Sequence, residues 1–223
     1  MESCLQRNAW VCPEYVVTRQ ERLLEALGQH LYITFAAVVL GVLLALPLAL
    51  LARRARWLET LAVGAATIAY TVPSLALFAL LLALGTGLNR NTVVLGLAVY
   101  TLAILLRNIL TGLALVPADT LDAADGMGLT PARRLVSVEL PLALPAILAG
   151  VRIATVSTVA LVTVGALIGF GGLGNLVFQG LSSRFNAEVL TATVLTVAVA
   201  LLLDAGLLLL QRTATPWARR RAG

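Results

Sequence analysis

A polytopic all-α membrane protein is the fold class this sequence predicts, and three observations carry it. The chain is 60% hydrophobic and only 12% charged over 223 residues, well above the roughly half apolar usage of soluble domains. Its mean hydropathy is +0.95. Five nearly uncharged runs, at 31–51, 61–84, 92–116, 143–168 and 189–210, each reach the length of about 18 residues or more that a membrane crossing needs. The alternating pattern of a membrane β-barrel is absent, and backbone groups in lipid must be satisfied within their own segment, so each run is expected to be a helix.

The first 30 residues precede these runs and lack an early apolar core, so the first span is expected to double as the targeting signal. Within this tail, "TRQERLLEALGQHL" predicts a short helix lying on the membrane surface. Thr18 and Glu21 have capping-box spacing, and Leu23, Leu24 and Leu27 share a face. His30 is expected at the interface. Cys4 and Cys12 are open to either reading, a bridge or two free thiols. The domain expectation is a tail over 1–30, a transmembrane domain over 31–211 and a basic tail over 212–223.

All sixteen basic residues are arginine, and their placement orients the chain. Arg53, Arg54 and Arg56 follow the first span, Arg133 and Arg134 the third, and Arg212, Arg219, Arg220 and Arg221 the fifth. The opposite loops carry only Arg90 and Arg184, with Arg7, Arg19 and Arg22 in the tail. The positive-inside rule then puts the C-terminus in the cytoplasm and the N-terminus outside. A net charge of +5 spread this way is a membrane signature, so nucleic acid is not an expected partner.

Several chemistries are excluded or disfavoured. There is no lysine and no P-loop pattern, hence no Walker-type ATP site. "GFGGLG" (169–174) matches G-x-G-x-x-G but follows a membrane helix without a βαβ unit, so its glycines are expected to serve close packing where a helix ends. Asp119, Asp122 and Asp125 share a helical face but have no further ligands, and no metal or other cofactor is expected. The single histidine lies in the tail and no nucleophile–base pair is visible, which argues against an embedded hydrolase or any other enzyme.

The polar loop over 117–142 is the most informative segment. Pro117 ends the third span, "ADTLDAAD" predicts a helix, and Gly126 and Gly128 offer its C-cap. Thr130 and Pro131 then restart a helix as N-cap and first residue. Leu121 and Ala124 are expected to form an apolar ridge suited to docking in another protein's groove. Here the sequence resembles the permease subunits of ATP-binding-cassette (ABC) importers, whose cytoplasmic signature is E-A-A-x(3)-G-x(9)-I-x-L-P. Asp122, Ala123, Ala124, Gly128, Val138, Leu140 and Pro141 fall on that signature with unaltered spacing, the first and the isoleucine position being conservative departures.

The resemblance implies a type I ABC importer permease fold whose loop carries a coupling helix seated on a cytoplasmic ATPase. That ATPase, not this chain, would bind ATP and magnesium. It further implies a second permease, identical or related, and an external solute-binding protein. "TVPSLALFALL", "LLRNILTGL", "MGLTPARRLVSVELPLALPAILAGVRIATV" and "GALIGFGGLGNLVFQG" resemble the branch that imports quaternary-ammonium osmoprotectants such as glycine betaine, choline or carnitine. A permease for amino acids such as methionine is the alternative. An autonomous secondary transporter is disfavoured by the lack of an inverted repeat and by few embedded acids.

Polar residues inside the spans supply the remaining candidates. Tyr70, Thr71, Pro73 and Ser74 interrupt the second span, Tyr100 and Thr101 the third, and Thr155 and Thr158 the fourth. They are candidates for a translocation pathway or gate, or for plain interhelical hydrogen bonding. Arg107, Arg152 and Asp204 lie in the cytoplasmic third of their spans and are expected to form an intramembrane charge network, with snorkelling to the inner surface or contact with a substrate carboxylate as the alternatives.

Overall fold

The computed structural model describes residues 3–219, and those residues are helices joined by short turns, without a strand. Helix α1 is Pro13–Thr18, α2 Gln20–Ala52, α3 Arg56–Thr71, α4 Ser74–Ala83, α5 Arg90–Ala114 and α6 Ala118–Gly126. A continuous rod follows: α7 Pro131–Arg134, a π-turn at Leu135–Glu139, α8 Leu140–Val162 and a 3-10 extension at Thr163–Ile168. Helices α9 (Leu173–Ser183) and α10 (Asn186–Ala214) complete the bundle. Four of these units are long and apolar enough to cross a membrane, and the α3–α4 pair makes a fifth if its two halves count as one span. Arg220 and Arg221, part of the basic tail, lie outside the described residues.

Helix α5 is the axis of the bundle, packed between α2 and α8. Its position follows from small residues on its neighbours. Ala37, Gly41, Ala45 and Ala49 repeat every four residues down one face of α2 and are buried, the spacing that lets membrane helices approach closely. A side chain at Gly41 would meet Thr101 Cβ at 2.7 Å, and one at Gly150 on α8 would meet Asn108 Cβ at 2.5 Å. Leu105, Leu106 and Ile109 of α5 fill the core these contacts close.

Two expectations about the ends of spans are corrected. The predicted surface helix does not stand apart, because α2 runs unbroken from Gln20 through the expected boundary at residue 30. Thr18 does not cap it; its hydroxyl donates back to the Glu14 carbonyl at 2.7 Å. His30, expected at the interface, is fully buried and its Nε2 donates to the Val159 carbonyl at 3.1 Å. It is accommodated because Gly172 presents no side chain where His30 passes.

The N-terminal segment is tied down at the far end of the bundle. Cys4 and Cys12 form a disulfide, settling the two readings in favour of the bridge. The loop it closes holds Asn8, whose Oδ1 accepts from the backbone of Asn186 at 2.8 Å and whose Nδ2 donates to the Arg184 carbonyl at 2.7 Å. A residue remote in sequence thereby satisfies an N-terminal amide of α10. Tyr15 is buried edge-on to Phe185, ring centroids 5.4 Å apart. Burial, with Glu188 beside it, pushes the Tyr15 phenol up to about 12.

Candidate functional site

Two features are built from the residues the sequence singled out: the loop between α5 and α8, and the break between α3 and α4.

In the loop, Pro117 sets an extended N-cap for α6. Gly128 ends that helix with φ +75. Its amide donates to the Asp125 carbonyl at 2.9 Å, while the Leu129 amide donates to the Ala124 carbonyl at 3.2 Å. This pair of bonds is a Schellman motif, which requires a left-handed residue between its partners. Thr130 then accepts from the Arg133 amide at 3.4 Å, and Pro131 is the first residue of α7. The turn chemistry expected from the sequence is therefore present. The docking ridge is not. Ala124 is buried and Leu121 half-buried against the chain's own α7 and π-turn, whereas Asp119, Asp122, Ala123, Gly126 and Met127 form the exposed face.

What holds α6 in place is a charged cluster that the sequence reading passed over. Glu139 is only 4% exposed and receives Arg53 from the end of α2 and Arg134 from the end of α7. Arg134 Nε donates to Glu139 Oε1 at 3.1 Å, and its other arm pairs with Asp125 on α6. The π-turn makes this possible. Residues five apart point well away from each other on an α-helix of 3.6 residues per turn, but the wider i→i+5 turn brings Arg134 and Glu139 to one side. The available signal was a lone acid in "LVSVELP", flanked five residues upstream by arginine. Val138, Leu140 and Pro141 are half-buried around it.

The second span, expected as one helix over 61–84, is two helices meeting at 98°. Val72 is extended (φ −64, ψ 127) and Pro73 has no amide to continue the ladder. The Val72 carbonyl freed by the break accepts from the Tyr100 hydroxyl. Tyr100 itself is buried and packs edge-on to Tyr70, centroids 5.5 Å apart. Tyr100 thus braces the break instead of lining an opening. Thr101, Thr155 and Thr158 are also buried, and donate to their own helix carbonyls at 2.6, 2.8 and 2.7 Å. These four do not present their hydroxyls to open space; Tyr70, Thr71 and Pro73 are exposed and Ser74 half-buried beside the bend.

The expected three-residue charge network is corrected to a pair. Arg152 grips Asp204 with Nη2 at 2.8 Å to both carboxylate oxygens and Nε at 3.0 Å to one, joining α8 to α10. Arg107 takes no part. Its Nη2 donates to Thr67 Oγ1 at 2.7 Å across the α3–α5 groove.

The chain is similar over most of its length to known membrane transport proteins. It is 36% identical over 192 residues to the osmoprotectant import permease protein OsmW of Salmonella typhimurium, covering 84% of this chain and 89% of that one. It is 33% identical over 202 residues to the glycine betaine/carnitine/choline transport system permease protein OpuCB of Bacillus subtilis, covering 91% and 93%. It is 33% identical over 208 residues to the choline transport system permease protein OpuBB of the same organism, covering 93% and 95%.

Among solved structures, the MetNI methionine ABC transporter in an inward-facing form superposes with a TM-score of 0.79 at 24% identity, over 86% of this chain and 96% of that one. An amino acid ABC transporter with histidines gives 0.77 at 22%, over 91% and 99%. The fold is therefore that of the type I ABC importer permeases. Residues 37–220 match the family described as "Binding-protein-dependent transport system inner membrane component". The chain belongs to that family, as a multi-pass inner-membrane transport permease.

Proposed function

We propose that this chain is the membrane subunit of an ATP-driven importer for a quaternary-ammonium osmoprotectant such as glycine betaine, choline or carnitine. The carrying observation is helix α6, presented at a Schellman turn with Asp122 and Ala123 outward, on a chain similar over most of its length to permeases for such solutes. In this reading, a cytoplasmic ATPase seats the exposed face of α6. A second permease, identical or related, completes the pathway, and an external solute-binding protein delivers the solute. ATP and magnesium bind the ATPase, and this chain hydrolyses nothing. Closure of the ATPases moves α6, and Asp125, Arg134, Glu139 and Arg53 relay the motion to α8 and α2.

The same reading places residues 117–142 in the cytoplasm and the N-terminus outside. The arginine distribution supports it, and so does the Cys4–Cys12 bridge, which persists in oxidising compartments. In intact cells treated with a membrane-impermeant reductant, an impermeant maleimide is expected to label these cysteines; labelling confined to broken cells would reverse the topology.

The reading is tested by reconstituting the complex purified from native membrane. Glycine betaine with the binding protein should stimulate hydrolysis, and methionine should not. Replacing Gly128 with valine forces a β-branched residue into positive φ, a strain of about 1–2 kcal/mol, in a place with no steric conflict. The variant is expected to insert and keep basal hydrolysis while uptake falls about tenfold or more. Normal uptake by it would argue against coupling through α6.

A further inference from the structure

We propose that Arg107 and Tyr70 form a transit site for a zwitterion, binding its carboxylate and its quaternary ammonium, which makes this subunit favour carboxylate-bearing solutes over choline. The inference rests on the osmoprotectant reading above. Arg107 lies within the α5 span on an exposed face, and a charged group there must face water or a partner charge instead of lipid. The other span arginine, Arg152, has Asp204. Among the described residues no carboxylate lies within ion-pair distance of Arg107, and its one hydrogen-bond partner is the neutral Thr67 hydroxyl. One arm is thereby fixed, and the remaining N–H groups of the fork are left for an oxyanion.

The space beside it suits a small solute. Thr67, Tyr70, Ala103, Ile104, Arg107 and Asn108 line a cavity of about 320 Å³, at the lower end of ligand sites. Tyr70 sits one turn along α3 from Thr67, so its ring and the guanidinium flank the same cavity. Tyr70 is 46% exposed, and Tyr100 packed edge-on holds its ring orientation. An exposed tyrosine face attracts a quaternary ammonium. A betaine or carnitine satisfies both ends of this site. Choline satisfies only the ring and meets an uncompensated guanidinium.

The test uses the whole complex in proteoliposomes, with uptake of glycine betaine, carnitine and choline each measured to saturation. Arg107→Gln should lower the maximal betaine and carnitine rates about tenfold, the size of a lost charged hydrogen-bond pair, while choline stays within about twofold. Half-saturating concentrations should hold, because the binding protein sets them. Arg107→Lys should restore part of the loss, and Tyr70→Leu should slow all three solutes. An equal fall for all three in Arg107→Gln would make Arg107 structural and overturn the proposal, as would no fall at all. A wild type that carries choline alone overturns the transit site but leaves the osmoprotectant reading standing. A wild type that carries none of the three overturns that reading and this one with it.

Discussion

Replacing Glu139 with glutamine is expected to destabilise the permease by about 2 kcal/mol and to break the link between hydrolysis and uptake. The carboxylate is the buried member of the cluster, its side chain 5% exposed against 29% for Arg53 and 25% for Arg134. Removing its charge leaves Arg53 without a counter-ion and Arg134 with only the exposed Asp125. Hydrogen bonds to charged groups contribute about 1.5–3 kcal/mol each, and breaking a buried pair costs more, but the half-exposed arginines recover part of this in water. For a chain of this size the loss corresponds to a melting-point drop of about 4–8 °C.

The outer pair behaves differently. The Asp125 side chain is 52% exposed, so Asp125→Asn should cost under about 1 kcal/mol while still loosening α6. The expected order in melting point is wild type, then Asp125→Asn, then Arg134→Gln, then Glu139→Gln. Complexes that carry Asp125→Asn or Glu139→Gln should hydrolyse ATP with little uptake. If Asp125→Asn is as unstable as Glu139→Gln, the cluster has no hub and the π-turn has no coupling role.

How much of this was legible in the sequence differs element by element, for physical reasons. The spans were readable because lipid imposes length and apolarity on each helix independently, so 92–116 and the long helix Arg90–Ala114 nearly coincide. The Thr130–Pro131 restart and the left-handed Gly128 were readable because caps are local chemistry. The 98° bend was not. Pro73 marks a break, but hydropathy is the same on both sides, and the angle is set by remote contacts: Tyr100 to Val72, and Phe78 packed against Gly96. Arg107 and Arg152 sit at similar depths, and only the packing of α10 on α8 decides that Asp204 meets one and not the other. Glu139 was overlooked because its partners lie 86 and 5 residues away, and the nearer pairing exists only in a π-turn.

The glycines at 169–174 show the reverse case, where a pattern that resembles a nucleotide fingerprint has a packing cause. Gly172→Val is expected to prevent accumulation of the folded permease. Gly172 has φ +55, and any Cβ there would lie 2.6–2.7 Å from the Cβ, Cα and backbone nitrogen of His30. Since His30 is itself fixed to Val159, and the Gly172 amide donates to Gln29 at 3.2 Å, α2, α8 and the start of α9 converge at this point. Left-handed strain of about 1–2 kcal/mol adds to overpacking of about 1–3 kcal/mol against backbone that has no rotamer to yield. The sum, about 2–5 kcal/mol, is a large share of the 5–15 kcal/mol that stabilises a typical domain.

Two neighbouring cases separate the terms. Gly169 has φ +84 but open space around it, so Gly169→Ala should lower stability by about 1–2 kcal/mol from strain alone. Gly28 lies in α2 with neither positive φ nor any atom within 4 Å, so Gly28→Ala should raise stability by about 0.5–1 kcal/mol. Folded yield of the three variants in membranes, and thermal unfolding of whatever protein detergent extracts, are the measurements. A Gly172→Val protein that melts beside Gly169→Ala would mean that His30 moves aside, and that α2 and α9 are held apart by something other than their closest contact.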